Sequence, residues 1–279
     1  MKKRTKRIKS KANAMRKAII EMLFEAGSGH PGGSLSATDI IACLYFDVMK
    51  HNSKDPDWDQ RDRFHLSKGH CCPAVYAALG ISGYFSTHNF KKLRKLGGML
   101  QGHSDRRVPG IEVSSGSLGQ GLSVALGMAL AGRLDNKDYR VYCLMGDGEI
   151  QEGNIWEAAM AAANFRVDNL CGIIDFNGFQ IDGRTEEIMD LEPLVNKWES
   201  FGWHVIQCDG HNIEELLYAF NQAKMIKMKP SVIIARTVKG KGVSFMEHVV
   251  DFHGRAPVKK EKEIALMELK SIEEDESKL

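Results

Sequence analysis

The stretch YRVYCLMGDGEIQEG, residues 139–153, decides the fold. Val141 to Met145 is a short, wholly apolar run with no polar alternation. Runs of that length and kind are strands covered on both faces. A Gly-Asp-Gly turn follows, and then an alanine-rich helix that starts near Asn154 and Glu157. The alternation continues outward. Leu170 to Phe176, Trp203 to Cys208 and Val232 to Ala235 read as further strands, and a helix capped by Asn212 and Glu215 separates the last two. Upstream, GSLGQG (116–121) opens a helix carrying Leu122, Ala125, Leu126, Ala129 and Leu130. A first helix runs from about Ala12 to Ala26, with Ala12, Met15, Ile19, Met22, Leu23 and Ala26 on one face, and Gly27 ends it. Ser36 and Asp39 read as a capping box for a helix carrying Ile40, Leu44 and Val48. Periodicity is weak from Tyr84 to Ser117, as in functional or mobile segments. Residues 238–258 form a loop rich in Gly, Lys and His. The expected fold is α/β, a doubly wound, mostly parallel sheet with helices on both faces. It spans residues 12–258, after a basic extension (1–11) and before a charged tail (259–279).

Composition bounds the rest. The chain has 279 residues, 38 Lys+Arg and 36 Asp+Glu. A core of that size needs no disulfide or metal staple. No apolar run approaches the roughly 20 residues that cross a bilayer, so no membrane role is expected. Residues 1–17 hold nine Lys/Arg and no acid, which leaves 29 basic against 36 acidic residues in the rest, a net of −7. No apolar signal-peptide core follows those charges, because Glu21 interrupts the run. No aromatic residue stands among them to stack a base, so nucleic-acid binding is not expected and the leader reads as the frayed, solvated first half of a helix. The six cysteines form no C-x-x-C pair, and several sit in apolar runs, as reduced thiols do in a cytoplasmic protein.

Four motifs carry chemistry. Asp147 follows one strand in GDGE, and Asn177 follows another in FNGFQIDG. In open α/β sheets ligands bind beyond the carboxyl ends of strands. On neighbouring strands the two converge into a sparse oxygen site of the kind that holds magnesium together with ligand phosphates. Taken alone, GDG reads equally well as an ordinary turn. GSLGQG at a helix opening favours an anion, and beside a metal it suggests a diphosphate. His30, His70, His103 and His253 all stand in glycine-flanked loops (SGHPG, SKGH, QGH, FHG). Their long spacings disfavour a metal cage, and neutral imidazoles that move protons and bind hydroxyls fit better. His51, His88 and His211 lack this setting and read as structural.

With these motifs in hand, the chain resembles the N-terminal, diphosphate-binding half of a transketolase. The resemblance covers about Ala12 to Pro257. It rests on SGHPGG (28–33), DRFHLSKGH (62–70), LGQGLSVALGMA (118–129), YRVYCLMGDGEIQEG (139–153), FNGFQIDG (176–183), FGWHVIQCDGHN (201–212), TVKGKG (237–242) and FHG (252–254). It implies thiamine diphosphate with a divalent cation, usually magnesium, with calcium or manganese as substitutes. By the same resemblance Asp147, Asn177 and the Phe179 carbonyl would hold the metal. Gly116, Leu118, Gly148, Ile181, Lys239 and His253 match positions around the cofactor, and Glu152 a carboxylate at the dimer contact. His30, His70, His103 and His253 match substrate-channel histidines.

The implied reaction is reversible transfer of a two-carbon ketol unit from a ketose to an aldose, with sugar phosphates as substrates. A full transketolase has two further domains, which supply a carboxylate to the pyrimidine and most of the phosphate-binding cations. The resemblance therefore implies the N-terminal subunit of a split enzyme, self-associating in an α₂β₂ assembly with a C-terminal subunit. Two alternatives stay: a dihydroxyacetone or deoxyxylulose-phosphate synthase, and a non-catalytic homologue. Arg255 stands where some relatives have Lys.

Overall fold

The computed structural model describes residues 2–181 and 183–278, the last six by backbone alone. Met1 of the basic leader, Asp182 of the FNGFQIDG turn and Leu279 of the charged tail lie outside the described residues.

Among the described residues five strands form one sheet: β1 (Arg63–Leu66), β2 (Val141–Gly146), β3 (Leu170–Phe176), β4 (His204–Asp209) and β5 (Ser231–Arg236). Their order is β1-β2-β3-β5-β4, and every pairing is parallel. Tyr142 and Leu144 join the core on one face, while Val141, Cys143 and Met145 join the core on the other. That is why β2 is apolar throughout: with both faces covered, a strand has no side on which to place a polar residue. Each fully buried Leu, Ile or Val contributes roughly 1.5–3 kcal/mol relative to exposure. The doubly wound α/β architecture is the one the sequence predicts.

Helices α1 (Lys2–Ala26), α2 (Pro31–Ser36), α3 (Thr38–Cys43) and α4 (Cys72–Ser82) cover the first face, where α9 (Ile213–Met225) also packs. The second face holds α5 (Gly121–Leu134), α6 (Gly153–Asn164) and α8 (Leu194–Ser200), with the single turn α7 (Thr185–Ile188) beside it. A last helix, α10 (Lys259–Lys278), packs on α1. Asn212 caps α9 as expected, accepting from the amides of Glu214 and Glu215.

Three local expectations change. The basic leader is part of the continuous helix α1. Ile8 is buried, Arg4 pairs with Asp47, and an Arg7 guanidinium nitrogen donates to the Phe46 carbonyl at 2.9 Å. The charged tail is also helical and docks through Ala265 and Leu269, whose carbonyl accepts from Asn13 Nδ2 at 2.8 Å. Packing contacts thus extend to Ile8 toward one end and to Leu269 toward the other. Ser36 and Asp39 form no capping box. Ser36 ends α2 and donates to Asp175 at 2.6 Å, while the Asp39 carboxylate takes Arg16 and His211. The strand β1 gave no signal, because four residues, RFHL, with a charge at one end are too short to show a period.

Candidate active site

The chain after β2 turns at Gly146-Asp147-Gly148, and the chain after β3 turns at Asn177-Gly178. The strands pair Gly146 with Asp175, so the two turns sit side by side at the carboxyl edge of the sheet. Asp147 links them: Oδ1 accepts from the Gly148 amide at 2.9 Å and Oδ2 from the Gly178 amide at 2.6 Å. Gly178 presents that amide from φ +77°, a conformation that a side chain would strain. Asn177 Oδ1 accepts from the Phe179 amide at 3.1 Å.

A cavity of about 460 Å³ opens over these turns. Every residue singled out in the sequence lines it: Asp147, Gly148, Asn177, Phe179 and Ile181 from the two turns, Gly116, Leu118 and Glu152 from one side, and His30, His70, His103, Lys239 and His253 from the other. A larger cavity, about 600 Å³, lies between α1, α10 and the 3₁₀ turn at 87–92, but no histidine lines it.

The four imidazoles form a cluster. Ring centroids are 5.1 Å apart for His30 and His70, 5.4 Å for His70 and His253, 5.6 Å for His30 and His253, and 6.2 Å for His30 and His103. Burial is the main cause that pushes all four below the ordinary histidine value. The charge of Arg94 adds to it at His30, which falls to about 4, and Lys239 adds to it at His253, which falls to about 3. His70 and His103 shift the same way. All four are therefore neutral at pH 7, and each offers one donor and one acceptor nitrogen. Lys239 Nζ lies 3.0 Å from His253 Nδ1 and donates to it, which places the His253 proton on Nε2.

The floor of the cavity holds residues that the sequence reading missed. Lys68 is buried and donates to Asp175 Oδ2 at 2.6 Å. Asp175 also accepts from Ser36 and Thr237. Burial alone would raise the Asp175 carboxyl, but Lys68 and the hydroxyls hold it down. Glu149 joins three loops: it accepts from the amides of Gly119 and Gly146 at 3.0 Å each and from the Ser67 hydroxyl. Asp147 is pushed up to about 6 by burial and by the Asp175 charge, against the pull of Lys68. Burial and the Lys68 charge bring Lys239 down to about 8. An acid inside an apolar strand, as in IIDF (173–176), is the signal that would have exposed this network, since a buried charge needs a partner.

Residues 8–274 match the family described as "Transketolase, thiamine diphosphate binding domain". The chain belongs to the transketolase family, as its thiamine diphosphate-binding part. It is 49% identical over 247 residues to the 6-deoxy-6-sulfo-D-fructose transketolase subunit SqwG of Clostridium sp. (strain MSTE9), covering 88% of this chain and 90% of that one. With an apulose-4-phosphate transketolase subunit of Phocaeicola vulgatus it shares 44% identity over 254 residues, covering 91% and 90%. A crystal structure of transketolase from Campylobacter jejuni superposes with a TM-score of 0.89 at 33% identity, covering 96% of this chain and 42% of that one. The chain thus spans most of the transketolase relatives named as subunits and under half of that larger transketolase.

The transketolase cofactor fits the residues present. Two ammonium groups, Lys68 and Lys239, line a cavity that also holds a buried carboxylate, as an anion bridged to a cation would need. His30 Nδ1 and Gln180 Nε2 are buried with no hydrogen-bond partner among the described residues, and both residues line the cavity. A Cβ on Gly148 would come within 2.9 Å of Gln180 Cβ, so the turn can close only on glycine. Among the described residues no three His, Cys, Asp or Glu side chains gather to hold a metal. A cation at Asp147 and Asn177 would depend on backbone and ligand oxygens.

Proposed function

We propose that this chain is the cofactor-holding subunit of a two-chain transketolase that moves a two-carbon ketol unit reversibly between a ketose and an aldose. The observation that carries the reading is the half-built cleft. Its floor is buried and internally bonded, while Glu152 and Gly116 are exposed and Ile181 is 63% exposed. Residues matched to the cofactor thus face open space that a second chain would close. That chain is a C-terminal transketolase subunit, in an α₂β₂ assembly working on carbohydrate in the cytoplasm.

Asp147, Asn177 and the Phe179 carbonyl hold the divalent cation, magnesium in the first instance, and Lys68, Lys239 and the Gly148 turn hold the diphosphate. The bound thiamine supplies the electron sink that lets a carbon–carbon bond break and re-form. The chain's own residues do the rest. Neutral His30, His70, His103 and His253 bind sugar hydroxyls and pass protons among them. Lys239 fixes the His253 tautomer. The buried floor keeps water from the reacting end.

The two subunit relatives are named for a sulfo-sugar and a sugar phosphate. Both names point to a substrate class of ketoses with an anionic tail.

The test is to co-express this chain with a C-terminal transketolase chain and assay ketol transfer with thiamine diphosphate and magnesium. Turnover is expected from the pair only. Full turnover by this chain alone, shown free of any partner, defeats the two-chain reading.

A further inference from the structure

A third cavity, of about 420 Å³, lies at the amino edge of the sheet, opposite the cleft. Asp62, Arg140 and Asn169 stand directly before β1, β2 and β3, and all three line it. The cleft lies beyond the other ends of those strands, about 20 Å away along β2. A small molecule bound here does not reach the four histidines. Seven Lys or Arg and three Asp side chains line the cavity, a formal charge of +4. The acids do little to offset it. Asp62 is buried, and its two oxygens accept from the backbone amides of Lys50 and Arg140 at 2.8 Å each. Asp168 accepts from the Met228 amide at 3.1 Å, and Asp138 lies 3.6 Å from Lys50. Lys137 pairs outside the lining, with Asp59 at 3.1 Å.

Five cations remain without a carboxylate partner among the described residues. At the base, Arg140 and Lys224 are half-buried and donate to backbone carbonyls, Arg140 Nη2 to Ala223 at 3.0 Å and Lys224 Nζ to Val48 at 2.9 Å. Arg140 Nε is buried with no hydrogen-bond partner among the described residues. Burial, with the charges of Arg140 and Lys50, pulls the Lys224 amine down. At the mouth, Arg133 donates to the Phe165 carbonyl at 2.7 Å. Arg166 and Lys227 are exposed there and make no side-chain hydrogen bond or ion pair among the described residues. Arg166 is the second residue past the end of α6, at φ +51°. Glycine ordinarily fills that left-handed position, so an arginine there costs the fold something. Unmatched cations around a space of this size suit a compact polyanion held by charge-assisted hydrogen bonds. Tyr139 is the one aromatic residue in the lining. It is buried, its hydroxyl donates to the Met128 carbonyl at 2.9 Å, and the Arg63 guanidinium covers its ring at 4.4 Å. No ring in the lining is free to stack a base.

We infer that this cavity binds a small metabolite carrying two or more phosphate groups, at a site separate from the cleft. Arg140 and Lys224 hold the innermost phosphate, and Arg166 and Lys227 close on the outer one. The inference stands apart from the ketol-transfer reading, because the two sites share no residue.

The probe is tripolyphosphate, titrated calorimetrically into the full chain at low salt. EDTA is present, so that the cation-dependent diphosphate site of the cleft is out of play. Binding at a single site with a micromolar Kd is expected. Arg166→Gly and Lys227→Gln should each weaken it about 10-fold. Arg166→Gly should hold or raise the urea midpoint, since glycine suits the backbone there, so its loss of binding is not a folding defect. Lys239→Met, in the cleft, should leave binding unchanged. Four results would overturn the inference. The wild-type chain could fail to bind the probe below millimolar concentration. Either mouth variant could weaken binding by less than about 3-fold. Lys239→Met could abolish binding, which would place the probe in the cleft. A short oligouridylate could bind more tightly than tripolyphosphate with the same dependence on Arg166 and Lys227, which would make this a nucleic-acid surface.

Discussion

The floor and the rim of the cleft are built from similar residue types in opposite states. On the floor, Lys68, Asp147, Glu149, Asp175 and Lys239 are each at most 3% exposed. On the rim, His103, Gly116 and Glu152 are exposed, and so is the apolar Ile181. Floor residues are fixed by partners from distant parts of the chain, as Lys68 is by Asp175, 107 residues away. Rim residues have few partners. The contrast separates what the chain does for its own folding from what it holds ready for a ligand or a second subunit.

The sharpest way to break the contrast is Asp147→Ala. It should abolish magnesium-dependent retention of thiamine diphosphate, measured by equilibrium dialysis, with the fold checked by circular dichroism. Unchanged retention would remove Asp147 from the ligand set. On the rim, His103→Ala should slow ketol transfer by the two-chain enzyme roughly 10²–10⁴-fold if it moves protons. Its urea midpoint should stay put, and a rate change of only a few-fold would return His103 to an ordinary loop role. Asp175→Ala should act the other way. It strands Lys68 as an uncompensated buried charge, at a cost of about 3–5 kcal/mol in urea unfolding. A loss under about 1 kcal/mol would mean that the floor is wet.

The histidine cluster adds a dependence on pH. His30, at about 4, and His253, at about 3, lie below the ordinary 6.5, so below that pH the unfolded chain binds more protons than the folded one. Their contribution is complete above pH 6.5 and is lost as the pH falls toward 4. Unfolding at pH 7, 6 and 5 should show the decline, and His253→Gln should make it shallower; an identical slope in the variant contradicts the neutral cluster. The smallest effect is expected for Ile181→Asp. The free chain should keep its stability within about 0.5 kcal/mol, while assembly with the partner weakens in sedimentation. Assembly as tight as wild type would take Ile181 out of the contact.

The same division governs what could be read from sequence. Strands β2, β3 and β5 were legible because two-sided burial leaves a largely apolar run, whereas the edge strand β4, HVIQCD, is mostly half-buried and showed through Val205, Ile206 and Cys208. Cleft residues were legible where glycine flanks a polar group, as in SGHPG, GDGE and FHG, since such loops advertise close approach. Lys68 and Asp175 were not, because a single Lys or Asp looks like any surface charge until its partner is known. The charges of the leader hid Ile8, and with it the docking of α1.

Glu149 constrains how this cleft can change. One carboxylate takes hydrogen bonds at the roots of three separate loops: Ser67 just after β1, Gly119 just before α5 and Gly146 at the end of β2. Those loops therefore cannot drift apart during divergence, because a shift in any one would orphan an acceptor shared with the other two. Whoever wishes to graft a new specificity here should transplant the three loops and their common pin as a single cassette.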